Sequence, residues 1–207
     1  MFGPAGLAQN TAKNCIIAVM KREASKERII LGIDPGTAIM GYGIVKETGN
    51  RIAMLSMGVV KMEHLSDHLL KLSRIFEKTV SLIEQYHPDC LAIEAPFYGK
   101  NIQVMLKLGR AQGIAMAAAL SKNIPVFEYS PRKIKQSITG NGNAAKEQVA
   151  AMLHTLLKFQ ETPEFLDATD GLAVAVCHSF QKITASAGPK SYSGWEAFLK
   201  DNPERQK

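Results

Sequence analysis

Three short apolar runs in this chain each stop at an acidic residue, and this feature constrains its fold most. The runs are residues 29–37 with Asp34, residues 91–97 with Glu94, and residues 166–173 with Asp167 and Asp170. The first two are typical of buried strands that end at an acid, whereas the third places two acids on one face of a helix. A buried carboxylate is costly unless it is paired or bound to a metal. Four such carboxylates therefore predict a divalent-metal site, and a basic surface beside it would indicate phosphate chemistry.

Basic residues concentrate in the segment that follows the second run. Residues 97–146 carry eight lysines and arginines against a single acid, Glu128. The net charge of +6 is a weaker indication of a basic surface on the folded domain, because half of it comes from residues 1–28. A basic segment beside an acidic metal cluster suits a polyanion that is brought to the metal. A solvated helix face is the alternative interpretation of the same basic side chains.

Length and composition indicate one folded domain. The chain has 207 residues, of which 46% are hydrophobic and 21% are charged, an ordinary globular composition. We predict a disordered extension at residues 1–28, a folded domain at 29–184 and a mobile tail at 185–207. Three scattered cysteines indicate reduced thiols, and no apolar run approaches the roughly 20 residues of a membrane span. We therefore expect a cytoplasmic protein that does not enter a membrane.

The hydrophobic pattern also predicts the order of helices and strands. It places strands at 29–34, 41–46, 51–60, 90–93 and 125–129, and helices at 65–86, 102–121, 132–138 and 144–159. A last, acid-bearing helix is predicted to begin at Thr162-Pro163-Glu164, and Asn143 is predicted to cap the helix at 144–159. The first three strands form an antiparallel meander, and strand–helix–strand units then add parallel strands. This order predicts a mixed five-stranded sheet flanked by helices, the ribonuclease H-like fold.

Several motifs in fixed order resemble those of RuvC, the family of bacterial Holliday junction resolvases. They are Gly32-Ile33-Asp34-Pro35-Gly36-Thr37, Gly41-Tyr42-Gly43, Ala92-Ile93-Glu94, Lys107-Leu108-Gly109, Pro125-Val126-Phe127-Glu128-Tyr129 and Asp167-Ala168-Thr169-Asp170-Gly171-Leu172-Ala173. No single motif would identify the family, but their joint order and spacing are specific. The resemblance runs from about residue 29 to residue 180.

The resemblance implies a Mg²⁺-dependent endodeoxyribonuclease of homologous recombination and DNA repair. In that family four acids bind two Mg²⁺ ions in each subunit of a homodimer, which nicks two strands of a four-way DNA junction symmetrically. Carried over, Asp34 would bridge both ions, and Glu94, Asp167 and Asp170 would complete the site. Mn²⁺ is expected to substitute for Mg²⁺. The family further implies a branch-migration motor of the RuvA and RuvB type as a partner.

Other positions match residues that hold DNA in that family. Phe97 matches an aromatic residue near the junction crossover, although a core residue at a strand end is the alternative interpretation. The positions that match backbone-binding residues are Lys100, Lys107, Lys135 and Lys146, and we expect Arg110 of the same basic segment to contact DNA as well. Lys146 has an argument of its own, because a lysine in the first turn of a helix joins main-chain amides that already favour an anion.

Three polar residues are assigned structural roles instead. Asp67 is predicted to start a helix, and Glu128 to be a surface or pairing residue at a strand end. His178 lies on the same helical stripe as the two acids of the last helix. We predict that it is a helix-end histidine with satisfied hydrogen bonds, with orientation of a metal ligand or water as the alternative.

Three other functions compete with junction cleavage. Proteins of the actin, Hsp70 and sugar-kinase type also open with a strand that runs into Gly-Ile-Asp-x-Gly-Thr, but this chain is short for two such domains and lacks a second glycine-rich loop. A structural junction-binding protein would have no use for four acids that repel phosphate. A related nuclease that acts on other DNA structures is harder to exclude from sequence. Stabilisation by MgATP would favour the first alternative, and stabilisation by junction DNA would favour a resolvase.

Overall fold

The computed structural model describes residues 27–96, 101–159 and 166–185. Within them lie five strands and five helices. The strands are β1 (Glu27–Asp34), β2 (Ile39–Thr48), β3 (Arg51–Lys61), β4 (Cys90–Glu94) and β5 (Val126–Tyr129). The helices are α1 (His68–Tyr86), α2 (Ile102–Ser121), α3 (Pro131–Thr139), α4 (Lys146–Leu157) and α5 (Leu166–Ala185). The predicted roles of residues 1–26 and 186–207, and the predicted helix start at Thr162-Pro163-Glu164, lie outside the described residues.

The five strands form one mixed sheet in the order β3-β2-β1-β4-β5. The pairs β1–β2 and β2–β3 are antiparallel, whereas β1–β4 and β4–β5 are parallel. This is the predicted meander followed by parallel strands, and the prediction is confirmed. The hairpin of β2 and β3 is longer than predicted because its two strands pair along almost their whole length, with one register irregularity at Ile44 and Val45.

Each face of the sheet buries a separate apolar cluster, so the domain has three layers. One cluster joins β1 and β4 to α3, α4 and α5 through residues such as Ile30, Ala92 and Leu172. The other joins the opposite face to α1 and α2 through residues such as Leu31 and Ile75. A strand that is buried on both faces shows no alternation of polar and apolar residues. This is why β1 and β4 appear in the sequence as continuous apolar runs. None of the helices in the described ranges is long and apolar enough to cross a membrane.

Single capping contacts decide where two of the helices begin. The Asp67 side chain accepts a hydrogen bond from the Leu69 main-chain nitrogen, so α1 begins at His68 and not at residue 65. The predicted role of Asp67 is thereby confirmed. The predicted cap at Asn143 is wrong, since α4 begins at Lys146 after Ala145. Instead, the Gln148 side chain accepts a hydrogen bond from the Ala145 nitrogen at 2.9 Å.

Glycines allow α5 to lie directly on the backbone of β1 and β2. A Cβ atom added to Gly32 would lie 2.5 Å from the Ala175 nitrogen, and one added to Gly43 would lie 2.6 Å from the Leu172 nitrogen. The fit is reciprocal, because a Cβ atom added to Gly171 of α5 would lie 2.5 Å from the Tyr42 Cα atom. Real Cβ contacts are longer than this. Any side chain at these positions would therefore push the helix away from the sheet.

We predict that Gly43→Ala lowers the free energy of unfolding by about 1–3 kcal/mol, since the added methyl group meets helix backbone that cannot move aside. Gly58→Ala in β3 is the matched control, because the three atoms nearest to its methyl group all belong to the Tyr42 side chain. We expect the control to change stability by less than about 1 kcal/mol. Urea unfolding followed by circular dichroism measures both. Equal effects of the two substitutions would contradict the proposed backbone contact.

Candidate metal centre and nucleic-acid interface

Two of the acids lie side by side because the strands that carry them are parallel neighbours. Ile33 of β1 pairs with Ile93 of β4, so the next residues, Asp34 and Glu94, end adjacent strands at the same edge. Alternation along each strand directs both carboxylates to the face covered by α5, together with Ile30 and Ala92. Both acids are half-buried.

The other two acids come from the first turns of α5. The close contact of Gly41 with this helix fixes their position, since a Cβ atom at Gly41 would lie 3.1 Å from the Asp167 carbonyl carbon. Lys146, the first residue of α4, joins the two acids. Its Nζ atom lies 2.6 Å from Asp167 Oδ1 and 2.6 Å from Asp170 Oδ2. The prediction that these two acids share one helix face is confirmed.

A cleft of about 640 Å³ opens where β1 and β4 end. Its acidic wall is formed by Asp34, Glu94 and Asp170, and its basic wall by Arg132, Lys135 and Lys146. Asp167 does not line the cleft and reaches it only through Lys146. The two walls carry opposite charge, so the cleft offers oxygen ligands to a cation and positive charge to an anion at once.

The protonation of the acids follows from burial and from their mutual repulsion. Burial raises the pKa of Asp34 to about 6, and the charge of Asp170 adds to this, while Lys146 opposes it. Burial raises the pKa of Glu94 to about 8, again with contributions from Asp34 and Asp170. The pKa of Asp170 is also raised by burial, against the lowering effect of Lys146. Burial alone would lower the pKa of Lys146, but its hydrogen bonds to Asp167 and Asp170 outweigh burial and raise it.

The chemistry of the acids fits a divalent cation. Carboxylate oxygens are the ligands that Mg²⁺ and Mn²⁺ prefer in proteins. A cation would also relieve the repulsion that, after burial, raises the pKa values of Asp34 and Glu94. Across the described segments, no three acidic, histidine or cysteine side chains are close enough to hold one ion together. The Lys146 ammonium instead neutralises the pair formed by Asp167 and Asp170. A bound ion would take over part of the charge that Lys146 balances.

The predicted DNA-binding residues fall into three groups. Lys135 and Lys146 line the cleft. Lys107 and Arg110 are exposed on α2, which covers the opposite face of the sheet, and neither lines the cleft. Phe97 and Lys100 lie outside the described residues.

Arg132 is a cleft residue that the sequence-based site prediction missed, although it belongs to the predicted basic segment. It lies one helical turn before Lys135 on α3, a spacing that places both side chains on one face. The loop before α4 packs closely on it, because a Cβ atom at Gly142 would lie 2.6 Å from Arg132 Cγ. The spacing of three residues between Arg132 and Lys135 could therefore have predicted that Arg132 belongs to the site.

The two remaining structural predictions concern Glu128 and His178. Glu128 accepts a hydrogen bond from Gln112 Nε2 at 2.8 Å, which makes it a pairing residue at the end of β5. His178 is only 5% exposed, and its Nδ1 atom lies 2.6 Å from the Tyr129 hydroxyl. Its ring also packs on Phe127 at a centroid distance of 4.5 Å. The predicted hydrogen bonding of His178 is confirmed, but the residue is buried within α5, seven residues before the end of the helix, and not at a helix end.

Comparison with known proteins gives a consistent result at the level of sequence. The profile of the family described as "Crossover junction endodeoxyribonuclease RuvC" matches residues 30–178. The chain is 59% identical to the crossover junction endodeoxyribonuclease RuvC of Cytophaga hutchinsonii over 181 residues, which cover 87% of this chain and 89% of that protein. It is 58% identical to the Bacteroides fragilis protein of the same name, with 88% and 97% of the two chains covered.

A solved structure has the same fold. The RuvC of Thermus thermophilus, described in complex with a Holliday junction substrate, superposes with a TM-score of 0.71 at 31% identity. The match covers 76% of this chain and 96% of that one. The predicted ribonuclease H-like fold is thereby confirmed. The sequence and structure matches together establish that this chain belongs to the crossover junction endodeoxyribonuclease RuvC family.

Proposed function

We propose that this protein is a metal-dependent endonuclease that resolves four-way DNA junctions by two symmetric phosphodiester cleavages. The observation that carries the proposal is the cleft in which Asp34, Glu94 and Asp170 face Lys135 and Lys146. Cleavage of a phosphodiester requires acidic residues that hold cations near it and basic residues that compensate its own charge. The choice of a four-way junction rests on the names of the relatives and on the junction substrate of the Thermus thermophilus protein.

The four acids would hold two Mg²⁺ ions, with Asp34 between Glu94 on one side and the α5 acids on the other. Such ions, when bound, activate a water for attack on phosphorus and stabilise the leaving oxygen. Asp34 is suited to the central place because it is the acid whose pKa responds to both Asp167 and Asp170 and which itself raises the pKa of Glu94. Mn²⁺ has the same preference for oxygen ligands and would substitute for Mg²⁺.

The basic wall would bind and orient the DNA backbone. Lys135 and Arg132 extend from α3 and have no hydrogen bond or ion pair to an acidic side chain among the described residues, so both are available to phosphate. Lys146 is shared, because its ammonium also contacts Asp167 and Asp170. It would hold a phosphate next to the acids and compensate the charge of both. Exposed Lys107 and Arg110 on α2 would contact a more distant part of the junction.

A second copy of the chain is the partner that symmetric cleavage requires. The outer face of α2, formed by Ile102, Leu106, Gly109, Gly113 and Leu120, is apolar and largely exposed. Cβ atoms added to Gly109 or Gly113 would meet nothing within 4 Å, so the face is open to close approach by another backbone. We therefore propose that two chains associate through the outer face of α2, which a two-fold axis would bring into contact with itself.

The cellular setting follows from the proposed reaction. The enzyme would act in the cytoplasm, where bacterial DNA lies, during homologous recombination and repair. A branch-migration motor of the RuvA and RuvB type is the proposed partner, on the strength of the family resemblance alone. An ATP-binding function is disfavoured by membership of the nuclease family.

Replacement of Asp34 tests the proposed metal centre. We expect Asp34→Asn to lower the rate of Mg²⁺-dependent cleavage of a synthetic four-way junction by at least about 10³-fold, because it removes the central carboxylate. Junction binding, measured by gel shift, should stay unchanged or become tighter, as one negative charge is lost. Asp67→Asn is the matched control, since asparagine caps a helix as well as aspartate does. Full cleavage by Asp34→Asn would remove the argument for the metal site, and linear duplex should not be cut by either protein.

The raised carboxyl pKa values predict how pH affects stability without metal. Glu94 has an ordinary pKa of 4.5 and a folded-state pKa of about 8, so the folded state binds more protons than the unfolded state between these values. Stability in EDTA should therefore be greatest below pH 4.5 with respect to this group and should fall as pH rises towards 8. Asp34 adds a smaller loss between pH 3.8 and about 6.

Glu94→Gln isolates this effect. We expect the substitution to raise the stability of the metal-free protein at pH 8 by up to a few kcal/mol and to change it little near pH 4. Exposed Glu63 supplies the control Glu63→Gln. Calorimetric melting at both pH values would measure the difference. Mg²⁺ should stabilise the wild-type protein more at pH 8 than at pH 5.5, and the opposite order would contradict the assignment.

Disruption of the outer face of α2 tests the proposed dimer. We expect Leu106→Glu to convert a species of twice the 22.6 kDa chain mass into a single chain in sedimentation experiments, since the charge must be desolvated at the contact. Leu156→Glu on α4 is the control, because Leu156 is similarly exposed but lies on another helix. The single chains should lose paired nicking. A dimer that survives Leu106→Glu and is broken by Leu156→Glu would move the contact to α4.

A further inference from the structure

Gln112 is the one polar side chain among the buried positions of α2. The other buried residues of this helix are Ala111, Ala115, Ala118 and Ala119. Gln112 is 7% exposed and points towards the ends of β4 and β5. A buried amide is costly unless it is hydrogen-bonded, so its presence in a row of alanines indicates a specific contact.

The amide of Gln112 bridges two acceptors. Its Nε2 atom donates to Glu128 Oε2 at 2.8 Å and to the main-chain carbonyl oxygen of Glu94 at 3.4 Å. Both partners are acceptors only, so the nitrogen of the amide, and not its oxygen, must face them. The shorter contact to Glu128 therefore fixes the orientation in which the amide can also reach Glu94.

Glu94 is the point at which β4 leaves the sheet. Just beyond it, the Ala95 nitrogen donates a hydrogen bond to the Tyr129 carbonyl oxygen at 2.9 Å. Gln112 approaches the same main-chain segment from the α2 side, whereas the Glu94 carboxylate projects to the α5 side. The side chain that belongs to the cleft and the contact that steadies its backbone thus lie on opposite faces of the sheet.

We propose that Gln112 is a positioning residue, which holds the main chain at Glu94 so that this carboxylate stays directed at Asp34 and Asp170. Gln112 does not line the cleft. Its effect would pass through the backbone of Glu94, as contacts behind a metal ligand orient that ligand. The inference rests on the proposed function, because it concerns the acid that is assigned to the metal.

The test replaces the amide by an apolar side chain of similar size. We expect Gln112→Leu to lower single-turnover cleavage of the four-way junction by about 10-fold or more and to raise the Mg²⁺ concentration at half-maximal rate. The Kd for junction DNA should not change. Without DNA, the rise in melting temperature on addition of Mg²⁺ should be smaller than in the wild-type protein. Gln103→Leu on the exposed side of the same helix is the matched control.

A rescue variant separates positioning from simple loss of stability. Gln112→Arg restores donors that can reach both acceptors, and it should recover the Mg²⁺ midpoint. Glu128→Ala removes the contact that orients the amide and should give a smaller shift in the same direction. An unchanged Mg²⁺ midpoint in Gln112→Leu, or a loss of rate that only follows the loss of folded protein, would overturn the proposal. Wild-type protein that fails to cut the junction at all would instead refute the proposed function.

Discussion

The contact between α5 and the backbone of β1 and β2 is the constraint on which the rest of the structure depends. Glycines on both sides of this contact let the backbones of helix and sheet approach closely. As a result Asp167 and Asp170 lie next to the strand that ends in Asp34, although more than 130 residues separate them in the chain. The packing of the core and the convergence of the acids therefore have one physical cause.

The cleft balances charge in a way that neither wall could achieve alone. Burial is the main cause of the raised pKa values of Asp34 and Glu94, and repulsion between neighbouring carboxylates adds to it. The basic wall offsets part of it, most directly through Lys146, which contacts both acids of α5. Under the proposed function, the same lysine would also contact a phosphate of the DNA. Under the proposed function, the arrangement would link the neutralisation of the acids to the binding of an anion.

Local sequence patterns predict those parts of the fold that arise from local causes. The acids at strand ends were visible because an apolar run stops where a strand leaves the core, and the parallel pairing of two such strands brings Asp34 and Glu94 together. The cap at Asn143 was predicted wrongly, since the side chain of Asn141 accepts the Asn143 amide hydrogen and the helix starts later. Contacts between distant segments leave no periodic signal, which is why Gln112 was not predicted.

The two walls of the cleft are held in place by different kinds of contact. Backbone contacts between α5 and the sheet fix the position of the acids. A change in the spacing of the acids would therefore also disrupt the packing of the core. The basic wall instead stands on two short helices joined by residues 140–145, where Ala144 is buried in the core and Gly142 packs closely on Arg132. Changes in this connection can move positive charge relative to a fixed set of acids. The position of the positive charge can therefore change while the arrangement of the acids is kept.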